Sequence, residues 1–116
     1  MPHIHLETTT NVLENKHIER ILSALVDQLS EFETIDPSAI KAYYTLRDLY
    51  LTGRGAKPGF VHCTIQILTG RPDTLRKLIA ESMFQHLEVR FQESLSQGLA
   101  GITLELREMD RETYMK

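Results

Sequence analysis

Ile4, Leu6 and Thr8 alternate with His3, His5 and Glu7 at the start of the chain, a period of two that predicts a strand. Thr9, Thr10 and Asn11 then offer cap chemistry for a helix. From about Leu13 to Phe32 the period changes. Ile18, Ile21, Leu22, Leu25, Leu29 and Phe32 recur at three- and four-residue spacing, laying one apolar stripe along a helix. Asp36-Pro37 breaks it. Ile40–Leu46, aromatic and partly β-branched, reads as a second strand with weaker alternation, and Gly53, Gly55, Pro58 and Gly59 mark a loop.

The second half restarts the same plan. Gly59–Leu68 is the clearest strand in the chain, and Thr69-Gly70-Arg71-Pro72-Asp73 turns it into a helix, with Pro72 suited to the first helical turn. Leu75, Leu78, Ile79, Met83, Leu87, Phe91 and Leu95 predict one long amphipathic helix closed by Gly98 and Gly101. Ile102–Arg107 reads as the last strand. Ile4-His5-Leu6 is echoed by Val61-His62-Cys63, so the chain is read as two tandem β-α-β halves in an α/β (α+β) domain. Each crossover favours parallel pairing of the strands it joins. A four-stranded sheet with two long helices on one face buries that face only. Ile, Val, Leu and aromatic strand residues are expected on the other, which requires a cover and implies a homo-oligomer.

Composition narrows the class. A chain of 116 residues, 41% apolar and 25% charged, fits one globular domain over residues 1–116. Its net charge is −3, with a pI near 5.9, so no basic footprint points to nucleic acid or an anionic membrane. The single Cys63 rules out an internal disulfide and suits a reducing compartment. No charged-then-apolar leader opens the chain and no apolar stretch is long enough to span a bilayer, so a cytoplasmic location is expected.

Candidate chemistry begins at Pro2. Methionine is normally trimmed before proline, which would leave a free secondary amine at the head of the first strand. An α-amino group titrates near 8, and desolvation or a nearby cation pulls it toward neutrality, where a general base works best. A proline there also serves simply to resist aminopeptidases, so the rest of the chain must decide. His3, His5 and His62 could in principle meet across strands to hold zinc; polar residues at strand or subunit interfaces is the blander reading. Cys63 has no identifiable base except its neighbour His62 and reads better as a small buried hydrophobe. Tyr43, Tyr44 and Tyr50 either line a pocket or pack at an interface. The run Arg107–Glu112 reads as a solvated tail, or one covering a neighbouring subunit's site.

Pro2-His3-Ile4, Phe60-Val61-His62-Cys63-Thr64, Gly70-Arg71 and the helical Glu81-Ser82-Met83-Phe84 together resemble the 5-carboxymethyl-2-hydroxymuconate isomerase family of the tautomerase superfamily. The likeness runs from Pro2 to about Arg107. It implies a tautomerase-like fold, a homotrimer, no cofactor and no metal. It also implies Pro2 as catalytic base and a small carboxylated dienol as substrate. The family's arginine after the third strand falls on Arg71, whose planar fork matches a carboxylate. The family's Arg-x-Arg pair in the second strand is replaced here: the matching positions read Lys41 and Tyr43, one keeping a charge and the other a hydrogen-bond donor. The expected reaction is isomerisation of a 2-hydroxy-dienoate to its conjugated 2-oxo acid. The alternatives are a decarboxylase, dehalogenase or hydratase acting on an unsaturated acid, and a non-catalytic trimeric binding protein.

Overall fold

A computed structural model describes residues Met1–Lys116. The alternating segments become β1 (His3–Thr9), β2 (Lys41–Arg47), β3 (Phe60–Leu68) and β4 (Gly101–Met109). Between them lie α1 (Ile18–Ser30), α2 (Asp73–Arg90) and the short α3 (Gln92–Ser96). The sheet order is β2-β1-β3-β4. Each half pairs its own strands in parallel, β1 with β2 and β3 with β4, as the crossovers require. The halves join through antiparallel β1–β3 pairing, with Leu6 opposite Cys63.

The period-two pattern decides which face is buried. Ile4 and Leu6 of β1 and Val61, Cys63, Ile65 and Ile67 of β3 point to the helices and are buried. Ile21, Leu25 and Leu29 of α1 and Ile79, Met83 and Leu87 of α2 meet them from the other side. The sheet's second face departs from expectation. The intervening positions are mainly polar, with His3, His5, Glu7, His62, Thr64 and Gln66; of the expected apolar and aromatic residues only Tyr43, Phe60 and Leu68 fall on this face of β1, β2 and β3. These polar groups satisfy one another: His5 Nε2 lies 2.9 Å from Thr45 Oγ1, His62 Nδ1 2.7 Å from Thr103 Oγ1, and Arg47 donates to Glu7. The most exposed apolar side chains are Leu49 and Leu51, 93% and 96% exposed in the loop between β2 and β3, followed by Met115 near the chain end.

The expected single long helix is also interrupted. Phe91, with φ −111° and ψ 22°, separates α2 from α3 and buries its ring completely, a burial worth about 2–3 kcal/mol. The break has a polar cause that the apolar stripe does not reveal. The Glu14 carboxylate accepts the backbone N–H groups of Glu93 (3.1 Å) and Ser94 (3.2 Å) and the Ser94 hydroxyl (2.6 Å). Ser94 Oγ in turn accepts the N–H of Leu13 at 2.9 Å. Donors freed at the start of α3 are thereby satisfied inside the protein.

Thr9 and Asn11 do not cap α1, which starts at Ile18 after a 3-10 turn over Leu13–His17. They tie β1 to its neighbours instead. Thr9 Oγ1 donates to Asn11 Oδ1 and accepts the Phe60 N–H, and Asn11 Nδ2 donates to the Leu99 carbonyl. Both side chains press on Gly59, where a Cβ would collide with Asn11 Oδ1 and Thr9 Oγ1.

Glu14→Ala strands a buried hydroxyl and two N–H groups, and is expected to lower stability by about 2–4 kcal/mol. In urea melts the midpoint should fall with little change in slope. Gly59→Ala should cost about 1–3 kcal/mol by overpacking in the same assay.

Candidate active site

Strand direction gathers the site. β1 and β2 begin, and β3 and β4 end, at the same edge of the sheet, because β1–β2 and β3–β4 are parallel while β1–β3 is antiparallel. Pro2, Lys41 and Arg71 therefore converge although they are distant in sequence. Pro2 is buried at the head of β1, and its carbonyl accepts the Lys41 N–H at 3.0 Å. A proline there costs the ladder nothing, since it precedes the paired positions and has no N–H to satisfy.

The charge around this end is mostly positive, with the exposed Asp36 carboxylate as the acidic group that also feels the chain's amine. The Met1 amine, one residue before Pro2, is held below its ordinary 8.0, first by desolvation and then by the positive charges of Lys116, Arg71, Lys41 and Arg111. None of these four cations makes an ion pair; the protein's salt bridges all lie elsewhere. A site of this kind is suited to an anion.

Arg71 stands in the turn between β3 and α2. Gly70, at φ +126°, makes the sharp bend that an L side chain would strain. The guanidinium is anchored: Nε donates to Thr34 Oγ1 (3.0 Å), Nη2 to the Thr34 carbonyl (2.8 Å) and Nη1 to the Leu68 carbonyl (3.2 Å). A guanidinium has five N–H donors, so three bonds orient it while leaving donors for a ligand. Burial, and then Arg111, pull its pKa below the usual arginine value. Thr34 had no sequence signal as its anchor.

Lys41 is exposed, opposite His3 in the β1–β2 register. Tyr43 lies two positions further on, 42% exposed, with its ring centroid 4.9 Å from that of His5 and 6.2 Å from that of His3. Its ring contacts are thus histidines on the open face. Of the expected binding residues, Arg71 and Lys41 act on the chain start electrostatically; Tyr43 is not among the groups that do so.

The run Arg107–Glu112, expected as a solvated tail or one covering a neighbour, is largely exposed but has structure of its own. Arg107–Met109 belongs to β4, and the residues after it fold back on their own chain. Arg111 Nε donates to the Thr69 carbonyl at 2.5 Å, and the Tyr114 hydroxyl lies 2.7 Å from His3 Nε2. Arg111, Tyr114 and Lys116 were missed as site residues. Their only sequence signal was a basic or aromatic residue shortly after the last strand.

The three strand imidazoles do not converge: His3 meets Tyr114, His5 meets Thr45 and His62 meets Thr103. No group of three or more His, Cys, Asp or Glu is arranged to hold a metal. Cys63 is fully buried, and desolvation pushes its thiol up to about 12, as befits a core side chain. No helix is long and apolar enough to cross a membrane. The largest cavity, about 580 Å³ along Asn15–Arg20 and Tyr44, is not at Pro2, and neither are the three smaller ones.

A family model described as 5-carboxymethyl-2-hydroxymuconate isomerase matches residues 2–116. A 5-carboxymethyl-2-hydroxymuconate isomerase from Deinococcus radiodurans R1 is 25% identical and superposes with a TM-score of 0.89, covering 99% of this chain and 87% of that one. A 5-carboxymethyl-2-hydroxymuconate delta-isomerase, 15% identical, gives 0.86 over 100% of this chain and 87% of its own. A fused 4-OT symmetric trimer, 14% identical, gives 0.70 over 98% and 90%. The last two bear on the fold alone. No curated protein matches the sequence significantly.

His3 titrates below its ordinary 6.5 through desolvation first, then Lys41 and the chain's amino group. Lys41→Gln should raise the His3 pKa toward 6.5, read by NMR titration of its ring protons. An unmoved value would place Lys41 outside this electrostatic cluster.

Proposed function

Because this chain belongs to the 5-carboxymethyl-2-hydroxymuconate isomerase family and is thereby an isomerase, we propose that it ketonises a carboxylated 2-hydroxy-dienoate with the amine of Pro2 as general base. The observation that carries this reading is the buried head of β1 under the influence of four cations that make no ion pair. Removal of Met1 would put a secondary amine in that setting. Desolvation and positive neighbours both disfavour its protonated form, so the amine is neutral, and able to accept a proton, closer to pH 7 than an ordinary α-amine.

Pro2 takes the hydroxyl proton of the dienol and returns a proton to the distal carbon. The hydroxyl oxygen becomes the 2-oxo group and the remaining double bond shifts into conjugation. Arg71, oriented by Thr34 and Leu68, holds a carboxylate and offsets negative charge on the dienolate oxygen. Lys41 adds a point charge without the planar fork of an arginine. Tyr43, two positions from Lys41 on β2, is a further donor at the margin of the substrate. No cofactor enters this sequence of steps. The setting is a homotrimer whose neighbouring copies wall in the open end of the sheet and cover Leu49 and Leu51. The compartment is cytoplasmic.

The direct test is ultraviolet-monitored ketonisation of 2-hydroxymuconate with native protein and Pro2→Ala, methionine removal being verified by mass. The catalysed rate should fall by about 10²–10⁴-fold in the variant. A native rate no better than buffer would turn the reading toward a binding protein, and a rate indifferent to the alanine would remove Pro2 as the base. Product analysis separates isomerisation from decarboxylation or hydration.

The pH dependence has a definite sign. The base works unprotonated, so kcat/KM should fall as pH drops through the pKa of the Pro2 amine. Lys41→Gln removes a cation, raises that pKa and should move the acid limb of the profile to higher pH. Sedimentation equilibrium should give three times the 13.3 kDa chain mass.

A further inference from the structure

The residues after β4 form a strap with two anchors. Asp110 starts it: its carbonyl accepts the N–H groups of Thr113 (3.2 Å) and Tyr114 (3.0 Å), and its carboxylate accepts the Glu112 N–H (2.9 Å). This turn sends the chain back across the head of β1, where Tyr114 meets His3 through the 2.7 Å hydrogen bond and an edge-on ring contact of 5.8 Å. Near its start, Arg111 Nε is fastened to the Thr69 carbonyl, one residue before Gly70 and two before Arg71.

The head group of Arg111 is otherwise unused. Its Nε bond takes one of five donors, and neither Nη makes a bond within the protein. Arg111 Nη2 lies 3.2 Å from where a Cβ on Gly70 would stand, so the guanidinium lies over the turn that presents Arg71. Two like charges are held together while nearby acids are engaged elsewhere or stay apart. Glu108 pairs with Arg76, Asp110 binds backbone, and Glu112 makes no ion pair. Such an arrangement opposes folding and favours a ligand carrying more than one negative charge.

We propose that Arg111 is a substrate-binding residue, which with Arg71 forms a two-guanidinium clamp that selects acids bearing a second carboxylate. The inference rests on the reading of Pro2 as base only in placing the reacting end of the substrate at the head of β1. The Tyr114–His3 contact positions the strap, and Lys116 adds charge at its end. Arg71 and Arg111 present the carboxylate with forked donors, which Lys41 cannot. Within the clamp the two carboxylates of the substrate are the acidic partners of Arg71 and Arg111, which make no ion pair within the protein.

The test compares 2-hydroxymuconate, with two carboxylates, and 2-hydroxypenta-2,4-dienoate, with one, on native protein, Arg111→Gln and Arg111→Lys. In Arg111→Gln the ratio of kcat/KM for the dicarboxylate to that for the monocarboxylate should fall by about 10–100-fold, the loss lying mainly in KM. Arg111→Lys should recover part of it. An equal effect on both substrates, or none, would overturn the clamp while leaving Pro2 as base. A second readout needs no turnover: calorimetric binding of cis,cis-muconate, a dicarboxylate without the reacting hydroxyl. Its Kd should weaken at least about tenfold in Arg111→Gln. An unchanged Kd would overturn the clamp whether or not Pro2 catalyses.

Discussion

The hydrogen bond from the Lys41 N–H to the Pro2 carbonyl fixes what the rest of the site depends on. A chain terminus is ordinarily among the most mobile parts of a domain. Here the first strand is central in the sheet, flanked by β2 and β3, and it is hydrogen-bonded to its very start. Ile4 and Leu6 anchor it from beneath in the fully buried core. The amine of a trimmed chain would therefore begin on a rigid element, which is what a base needs if it is to stay within reach of a proton.

Around that point the structure accepts an electrostatic cost. Lys41, Arg71, Arg111 and Lys116 all act on the amino end and none makes an ion pair, whereas the arginines of the sheet's open face and of α2's first turn are paired: Arg47 with Glu7, Arg76 with Asp73 and Glu108, Arg107 with Glu105. Uncompensated charge at one locus is the local inconsistency expected where binding competes with stability. Strand direction makes the cluster possible, since the starts of β1 and β2 and the ends of β3 and β4 share one edge of the sheet.

A second polar device holds the opposite side of the fold. Glu14 reaches from the 3-10 turn before α1 to the N–H groups of α3 and the hydroxyl of Ser94. It bridges the two β-α-β halves, which otherwise meet through β1–β3 pairing and the α1–α2 packing. At 7% exposure, this carboxylate has little access to water, so its partners are structural necessities rather than surface decoration.

Much of this was legible in the amino-acid sequence. Alternation at Ile4–Leu6 and Val61–Ile67 and the three-and-four spacing through Ile21–Leu29 and Ile79–Leu87 determined the strands, the helices and the side of each that is buried, because those periods are set by local backbone geometry. The same alternation, followed strictly, also puts His3, His5, His62 and Thr64 on the open face, so the face expected to be apolar is mainly polar. Pro2 and Arg71 were visible as candidates through residue type and a family likeness. What only the tertiary structure decided depends on contacts across long separations: Glu14 with Ser94, Arg71 with Thr34, Tyr114 with His3, and Arg111 over Gly70. No period in the chain encodes such pairs. They exist because β4 ends beside β3 and β1 begins there, and that adjacency follows from how the two halves pack rather than from any segment alone.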